Sequence, residues 1–224
     1  MDLAEILFPA KCLDCGREGC YICNSCLSKV HAARLFCPMC DKPAVDGFTH
    51  ARCLKKYGLD GETSFWRYEG VVRKALLALK YKFAYKIANE LVTASFGLCK
   101  ERQAFMPKNA IIVPLPLYIR RENWRGFNQS EILCSQLAKF MNLRIVNNLL
   151  IRTKNVVSQT KLSKDKRAQN VRGVFSINPK FSKEVNNSVI IFDDVYTTGA
   201  TMKEAAKTLK RFGIKQVWGL TMAS

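Results

Sequence analysis

Fourteen residues near the C-terminal end carry the densest chemistry of the chain: Val189-Ile190-Ile191-Phe192-Asp193-Asp194-Val195-Tyr196-Thr197-Thr198-Gly199-Ala200-Thr201-Met202. An apolar run ends in two carboxylates, and a turn rich in hydroxyls and glycine follows. At the start of a helix such a turn offers backbone N–H groups and the hydroxyls of Thr197, Thr198 and Thr201 to an anion, while Gly199 lets backbone close on the ligand. The adjacent Asp193 and Asp194 suit sugar hydroxyls or a divalent ion. One site would then grip a phosphate and a ribose together. The plain alternative is a strand–turn–helix with a capping threonine. A Walker-type site is excluded, because no G-x-x-x-x-G-K-[ST] occurs anywhere in the chain.

A second chemistry sits at the other end. Of ten cysteines, eight fall in the first sixty residues. Cys12/Cys15, Cys23/Cys26 and Cys37/Cys40 repeat the C-x-x-C spacing, and His50/Cys53 makes a fourth, mixed pair. Each such turn aims two ligands at one ion, and two turns complete a tetrahedral shell for zinc. The simplest pairing is sequential, with Cys12, Cys15, Cys23 and Cys26 on one ion and Cys37, Cys40, His50 and Cys53 on another. An interleaved pairing and a single filled site stay open, and Cys20 fits neither set. A redox role expects one C-x-x-C opening a helix after a strand, which this crowd of cysteines does not resemble. A fully ligated zinc has no open position and would stabilise rather than catalyse.

The elements that must position these groups alternate. Thr63–Tyr68 is strand-like. Over 71–91, Leu76, Leu77, Leu79, Phe83, Ile87, Ala88 and Leu91 recur at helical spacing against basic residues, which predicts one amphipathic helix or two. Ala110–Pro116 reads as a short buried strand, 120–129 as a polar basic loop, and the stretch to about Met141 as a helix. Leu143–Leu150 reads as a strand region and 152–173 as a long mobile loop. Ser188–Phe192 is a strand buried on both faces, Ala200–Phe212 a helix stopped by Gly213, and Gln216–Met222 the last strand. Strands alternating with helices predict an α/β fold with a parallel sheet over 61–224, preceded by a small zinc-binding domain over 1–60.

Charge divides the chain the same way. The net charge is +18, yet residues 1–60 hold eight Lys/Arg against seven Asp/Glu. The second part holds 28 against 11, a field that attracts polyanions. Residues 120–172 alone hold twelve basic and three acidic residues, with Trp124 and Phe127 beside Arg120, Arg121 and Arg125. Bases stack on such rings while the cations track a strand's backbone. The N-terminal Met1-Asp2-Leu3-Ala4-Glu5 is acidic where a secretory signal is basic, and no apolar run reaches the length of a spanning helix. A cytoplasmic protein is expected, peripheral to a membrane at most.

The run 189–202 resembles, across all fourteen positions, the motif by which type I phosphoribosyltransferases bind phosphoribosyl pyrophosphate (PRPP). The resemblance implies that Asp193 and Asp194 contact the ribose hydroxyls and that Thr197, Thr198, Gly199, Ala200 and Thr201 hold the 5′-phosphate. Val113-Pro114-Leu115-Pro116, Arg120-Arg121 and Arg125-Gly126-Phe127-Asn128-Gln129 are similar to the pyrophosphate-loop region of the ComF/ComFC competence proteins. So are Ser158-Gln159, Leu162-Ser163, Arg167, Asn170-Val171, Gly173 and Phe175, and the N-terminal C-x-x-C segment completes the same layout. The chain departs from that pattern at His50/Cys53, where two cysteines are the rule.

Two functions of different class follow. As a binding module of natural transformation, the domain holds PRPP and handles incoming single-stranded DNA through Arg120, Arg121, Trp124, Arg125, Phe127, Lys161, Lys164 and Arg167, alongside other DNA-uptake proteins at the inner membrane. As a phosphoribosyltransferase, it places the pyrophosphate of Mg²⁺-bound PRPP near Pro116, Leu117 and Tyr118. Asp193 and Asp194 then hold the reacting sugar, and Arg125 or a neighbouring arginine neutralises the leaving group. No acceptor pocket or glutaminase module is recognisable in the sequence.

Overall fold

The computed structural model describes residues 9–79, 84–154, 171–181 and 187–224. In chain order its strands are β1 (Gly61–Trp66), β2 (Ile111–Pro114), β3 (Arg144–Ile145), β4 (Leu150–Arg152), β5 (Phe175–Ile177), β6 (Ser188–Val195) and β7 (Gln216–Ala223). The helices are α1 (Asn24–Leu27), α2 (Gly70–Ala78), α3 (Ala84–Ala94), α4 (Phe96–Gln103), α5 (Ile119–Arg125), α6 (Gln129–Met141) and α7 (Ala200–Phe212). Five strands form one parallel sheet in the order β1-β7-β6-β2-β3, and β4 pairs with β5 in a separate antiparallel ribbon.

The apolar run of β6 is explained by cover on both faces. Ile190 and Phe192 join Trp218, Leu220 and Met222 against Leu133 and Leu137 of α6. Val189 and Ile191 turn the other way, with Val217, onto Ala205, Ala206 and Leu209 of α7. A central strand buried on both sides has no polar alternation to show, as parallel sheets require. The helix α7 matches its predicted span, and Gly213 at φ 118° ends it by donating its N–H back to Leu209 and Lys210.

Two expectations are revised, and one strand is new. The segment 120–129, read as a loop, is helical from Ile119 to Arg125 and stops at Gly126, φ 79°. Its charged residues hide the helix, because no apolar stripe faces a core. The region 143–150 splits between two sheets, as β3 and the start of β4. Phe175–Ile177 is a strand that only its pairing with β4 defines. Most of 152–173, with Lys161, Lys164 and Arg167, lies outside the described residues.

The cysteine-rich segment lies along the open edge of β1. Isolated bridges join Ala32 to Trp66 and Phe48 to Gly61, and Ala33 donates its N–H to Phe65 at 2.9 Å. Arg102 of α4, 5% exposed, donates to the carbonyls of Ser64 and Ala33 and ties helix, strand and segment together. The edge that would otherwise offer unpaired backbone is thereby covered.

Candidate functional site

The two loops that the sequence nominates meet at the carboxyl ends of β2 and β6. From β2 the chain moves outward to β3 on one side, and from β6 it moves to β7 on the other. Their shared boundary is therefore a topological switch point, the crevice where open α/β sheets bind ligands. Leu115 donates its N–H to Phe192 at 2.8 Å, which sets Pro116, Leu117 and Tyr118, all half-buried, beside the end of β6.

Asp193 and Asp194 are half-buried at that end. The Asp193 carboxylate accepts from the Ser130 hydroxyl at 3.0 Å and from the Asp194 amide at 2.9 Å. Burial and then the neighbouring Asp194 charge push the Asp193 carboxyl up to about 8. Such an acid pair is stabilised by a cation or by hydroxyl donors, which fits a ribose or Mg²⁺. Ser130 is a site residue that sequence reasoning missed. Its position follows from Asn128, whose side chain caps α6 through the Ser130 amide at 3.1 Å and donates to the Leu115 carbonyl at 3.0 Å.

Beyond the acids, Thr197 is exposed, Thr198 is half-buried, and the Ala200 amide turns back to the Thr198 hydroxyl at 3.4 Å. Gly199 holds φ 67°, and a Cβ there would overlap the Tyr196 ring. Two constraints, the left-handed backbone and the close approach, thus demand glycine. A cavity of about 20 Å³ opens among Asp193, Val195 to Thr197 and Gly199 to Met202.

A second missed residue lies below the turn. Glu62 on β1 is fully buried, accepting from Ser64 at 2.6 Å and Thr221 at 3.3 Å, while its other oxygen has no hydrogen-bond partner. Burial pushes its carboxyl up to about 7. Nothing in the local run Gly-Glu-Thr-Ser-Phe-Trp marks this glutamate, and the predicted strand began one residue after it.

The cysteines assemble as the sequential pairing predicts. Ligand atoms of Cys12, Cys15, Cys23 and Cys26 lie within 4.8 Å of one another, and so do those of Cys37, Cys40, His50 and Cys53. His50 sets its Nε2 at 3.0 Å from the Pro43 carbonyl and its Nδ1 at 3.4 Å from the Cys40 sulfur. That arrangement fixes the tautomer with Nδ1 as the free lone pair, the outer-shell support a ligating histidine needs. Burial opposes ionisation of Cys12, yet backbone amides of Cys15, Cys23 and Asp14 directed at it bring its thiol down to about 6. Cys37 is lowered in the same way, against burial, by the amides of His50, Met39 and Cys40. Cys26 and Cys53 are raised, by burial first and then by their neighbouring thiols. A zinc ion at either set would displace the protons its thiols still carry. Cys20 belongs to neither group.

On the basic face, Trp124 is 81% exposed, and Ile119 and Arg120 beside it on α5 are exposed as well. Phe127 is half-buried against the core cluster. Arg121 and Arg125 share the helix, but their side chains lie outside the described set. Among the described residues no helix is long and apolar enough to cross a membrane.

No family model matches the chain. Curated relatives do. The chain is 31% identical over 205 residues to the DNA utilization protein YhgH of Salmonella typhi, covering 89% of each. It is 28% identical over 207 residues to Competence protein ComFC of Bacillus subtilis, covering 87% of this chain and 78% of that one. Competence protein F of Haemophilus influenzae matches at 38% over 114 residues, half of each chain.

Proposed function

The chain belongs to the ComF/ComFC family, and from that premise we propose that it is a PRPP-binding protein of DNA uptake that handles incoming single-stranded DNA. The observation that carries the reading is the acid pair and hydroxyl turn at the switch point between β2 and β6, with the basic helix α5 following directly on the β2 loop. Asp193 and Asp194 hold the ribose hydroxyls. The amides and hydroxyls of 197–201 receive the 5′-phosphate at the N-terminus of α7, where the helix dipole favours an anion. Mg²⁺, when bound, neutralises the pyrophosphate near Pro116, Leu117 and Tyr118. The exposed Trp124 stacks a base while Arg120, Arg121, Arg125 and the basic 161–167 segment follow the phosphates. The sulfur-rich centres hold zinc structurally. Relatives named for competence and DNA utilization support a role on DNA.

Calorimetry with PRPP and anisotropy with a labelled oligonucleotide test the two halves separately. Binding of both, with single-strand affinity falling steeply as salt rises, is the expected result. No oligonucleotide binding at low salt removes the DNA half, and no PRPP binding removes the site. A phosphoribosyltransferase is the second reading, favoured by an acid pair suited to a reacting sugar. It requires pyrophosphate release that depends on an acceptor, and a screen of bases and amines decides it.

A further inference from the structure

We infer that Tyr196 is a strut joining the second cysteine–histidine centre to the phosphate turn, so that metal at Cys37, Cys40, His50 and Cys53 and a sugar phosphate at the turn bind with positive coupling. The inference rests on the reading of that turn as a phosphoribosyl site.

Tyr196 stands between the last residue of β6 and the first threonine of the turn. Its backbone N–H is held by Ala223 at 2.8 Å, so the residue cannot drift from the sheet. Its side chain is 6% exposed and leaves the sheet toward the cysteine-rich segment. The phenol donates to the carbonyl of Pro38 at 3.2 Å, and Pro38 directly follows Cys37 inside the Cys37/Cys40 turn. Phe36, on the other side of Cys37, meets the ring edge-on at 5.2 Å and 61°. An isolated bridge between Phe36 and Pro43 closes the hairpin that carries both cysteines.

On the opposite side the ring serves as the mould of the turn. Gly199 lies against it so closely that no Cβ fits, and Gly199 leads into the first turn of α7. One side chain is therefore wedged between a ligand knuckle and the residue on which the phosphate turn closes. A metal that fixes Cys37 and Cys40 fixes the Pro38 carbonyl and the Phe36 ring, and these fix the tyrosine. Without it the hairpin relaxes, the ring loses its socket, and the turn must be ordered when the phosphate arrives. Coupling of this kind is reciprocal: whatever the metal adds to phosphate affinity, the phosphate adds to metal retention.

The experiment uses the full-length, zinc-loaded protein, with PRPP as the ligand probe and a colorimetric chelator to follow zinc release. In the wild type PRPP is expected to slow the release of one of two zinc ions by about five- to tenfold. Tyr196→Phe keeps the ring and removes only the bond to Pro38. It is expected to retain both ions at rest while losing most of that protection, and to bind PRPP several-fold more weakly. Cys53→Ser is expected to carry one zinc fewer and to lose about tenfold in PRPP affinity. Equal protection of zinc by PRPP in wild type and Tyr196→Phe overturns the strut. Undiminished PRPP affinity in a folded Cys53→Ser does so too, and if that variant fails to fold, the release kinetics of Tyr196→Phe decide alone. A wild type that holds two zinc ions and binds no PRPP overturns the functional reading, and this inference falls with it. Binding of PRPP without any change in zinc release overturns the inference only.

Discussion

The two cysteine centres are built alike and docked differently. In the first, the Cys12 carbonyl accepts from Gly16 at 2.9 Å and the Cys12 amide donates to Arg17 at 2.7 Å; in the second, Cys37 makes the same pair with Asp41 and Lys42 at 2.9 and 2.8 Å. A left-handed residue closes each turn, Gly16 at φ 76° and Asp41 at φ 59°. Bridges Lys11 to Glu18 and Phe36 to Pro43 zip the two hairpins in the same register. The surroundings then diverge. The first centre rests on helices: the Glu90 carboxylate of α3 takes the amides of Tyr21 and Ile22 at 2.8 and 2.7 Å, and Lys74 of α2 pairs with Asp14 at 2.7 Å. The second rests on Tyr196 and, through its ring, on the turn at Gly199. One motif, used twice, fastens the segment in one place and reaches the candidate site in the other. Sulfur chemistry is common to both, and the neighbour decides what each centre influences.

The largest effect that tests this contrast is loss of metal. Stripping zinc with a strong chelator is expected to lower the melting temperature by more than about 10 °C, because structural zinc contributes folding energy directly. Thermal melts of Cys15→Ser and Cys53→Ser sharpen the comparison. Both should melt earlier with one zinc lost, but PRPP affinity should fall markedly only in the second. Equal losses of PRPP affinity would erase the distinction between the centres.

Next in size is the site itself. Asp194→Asn is expected to reduce PRPP affinity by at least about a hundredfold, the loss of charge-assisted bonds to the sugar, with two zinc ions still bound. Unchanged affinity by calorimetry would move the ligand elsewhere.

The acid beneath the turn yields a pH test. Glu62 is raised from an unfolded value near 4.5 to about 7, so the folded state holds the proton more tightly. Its favourable contribution is complete below pH 4.5 and is lost as pH rises through 7. Glu62→Gln, neutral throughout, should therefore gain up to about 3 kcal/mol relative to wild type at pH 8 and little at pH 4.5. Urea melts at the two pH values check it.

Two glycines isolate the packing difference. Gly16 and Gly199 share a positive φ, yet space is open around Gly16 while Tyr196 fills it at Gly199. Gly16→Ala should destabilise by about 1 kcal/mol from backbone strain alone. Gly199→Ala should exceed it by about 1–2 kcal/mol and weaken PRPP binding as the tyrosine is displaced. The smallest change in stability is expected for Trp124→Ala, whose ring is 81% exposed. It should leave the melting temperature within about 2 °C of wild type, yet cost about 1–3 kcal/mol in single-strand affinity.

Legibility followed the range of each interaction. The strand read over 188–192, which runs on to Val195, and the helix 200–212 were readable because an uninterrupted apolar run, a hydroxyl turn and a stop glycine are local signals. Helix α5 escaped notice because its largely charged sequence carries no apolar stripe to report a neighbour. The strand β5 escaped because three residues become a strand only beside β4. Ser130 and Glu62 are ordinary in sequence and matter only through what folding brings to them, Asp193 in one case and Ser64 with Thr221 in the other.

By itself the sequence supplied the candidate chemistry: spaced thiols suited to metal, paired acids and a threonine–glycine turn suited to a phosphorylated sugar, and a basic second half suited to a polyanion. Such identities depend on covalent side-chain type and short spacing, which need no fold to be read. Only the tertiary structure decided which cysteines come together, where the acids sit relative to the switch point, and that a tyrosine joins one cysteine–histidine cluster to the turn after β6. Those contacts join residues up to 158 positions apart, and chain order carries no record of a meeting that packing alone brings about.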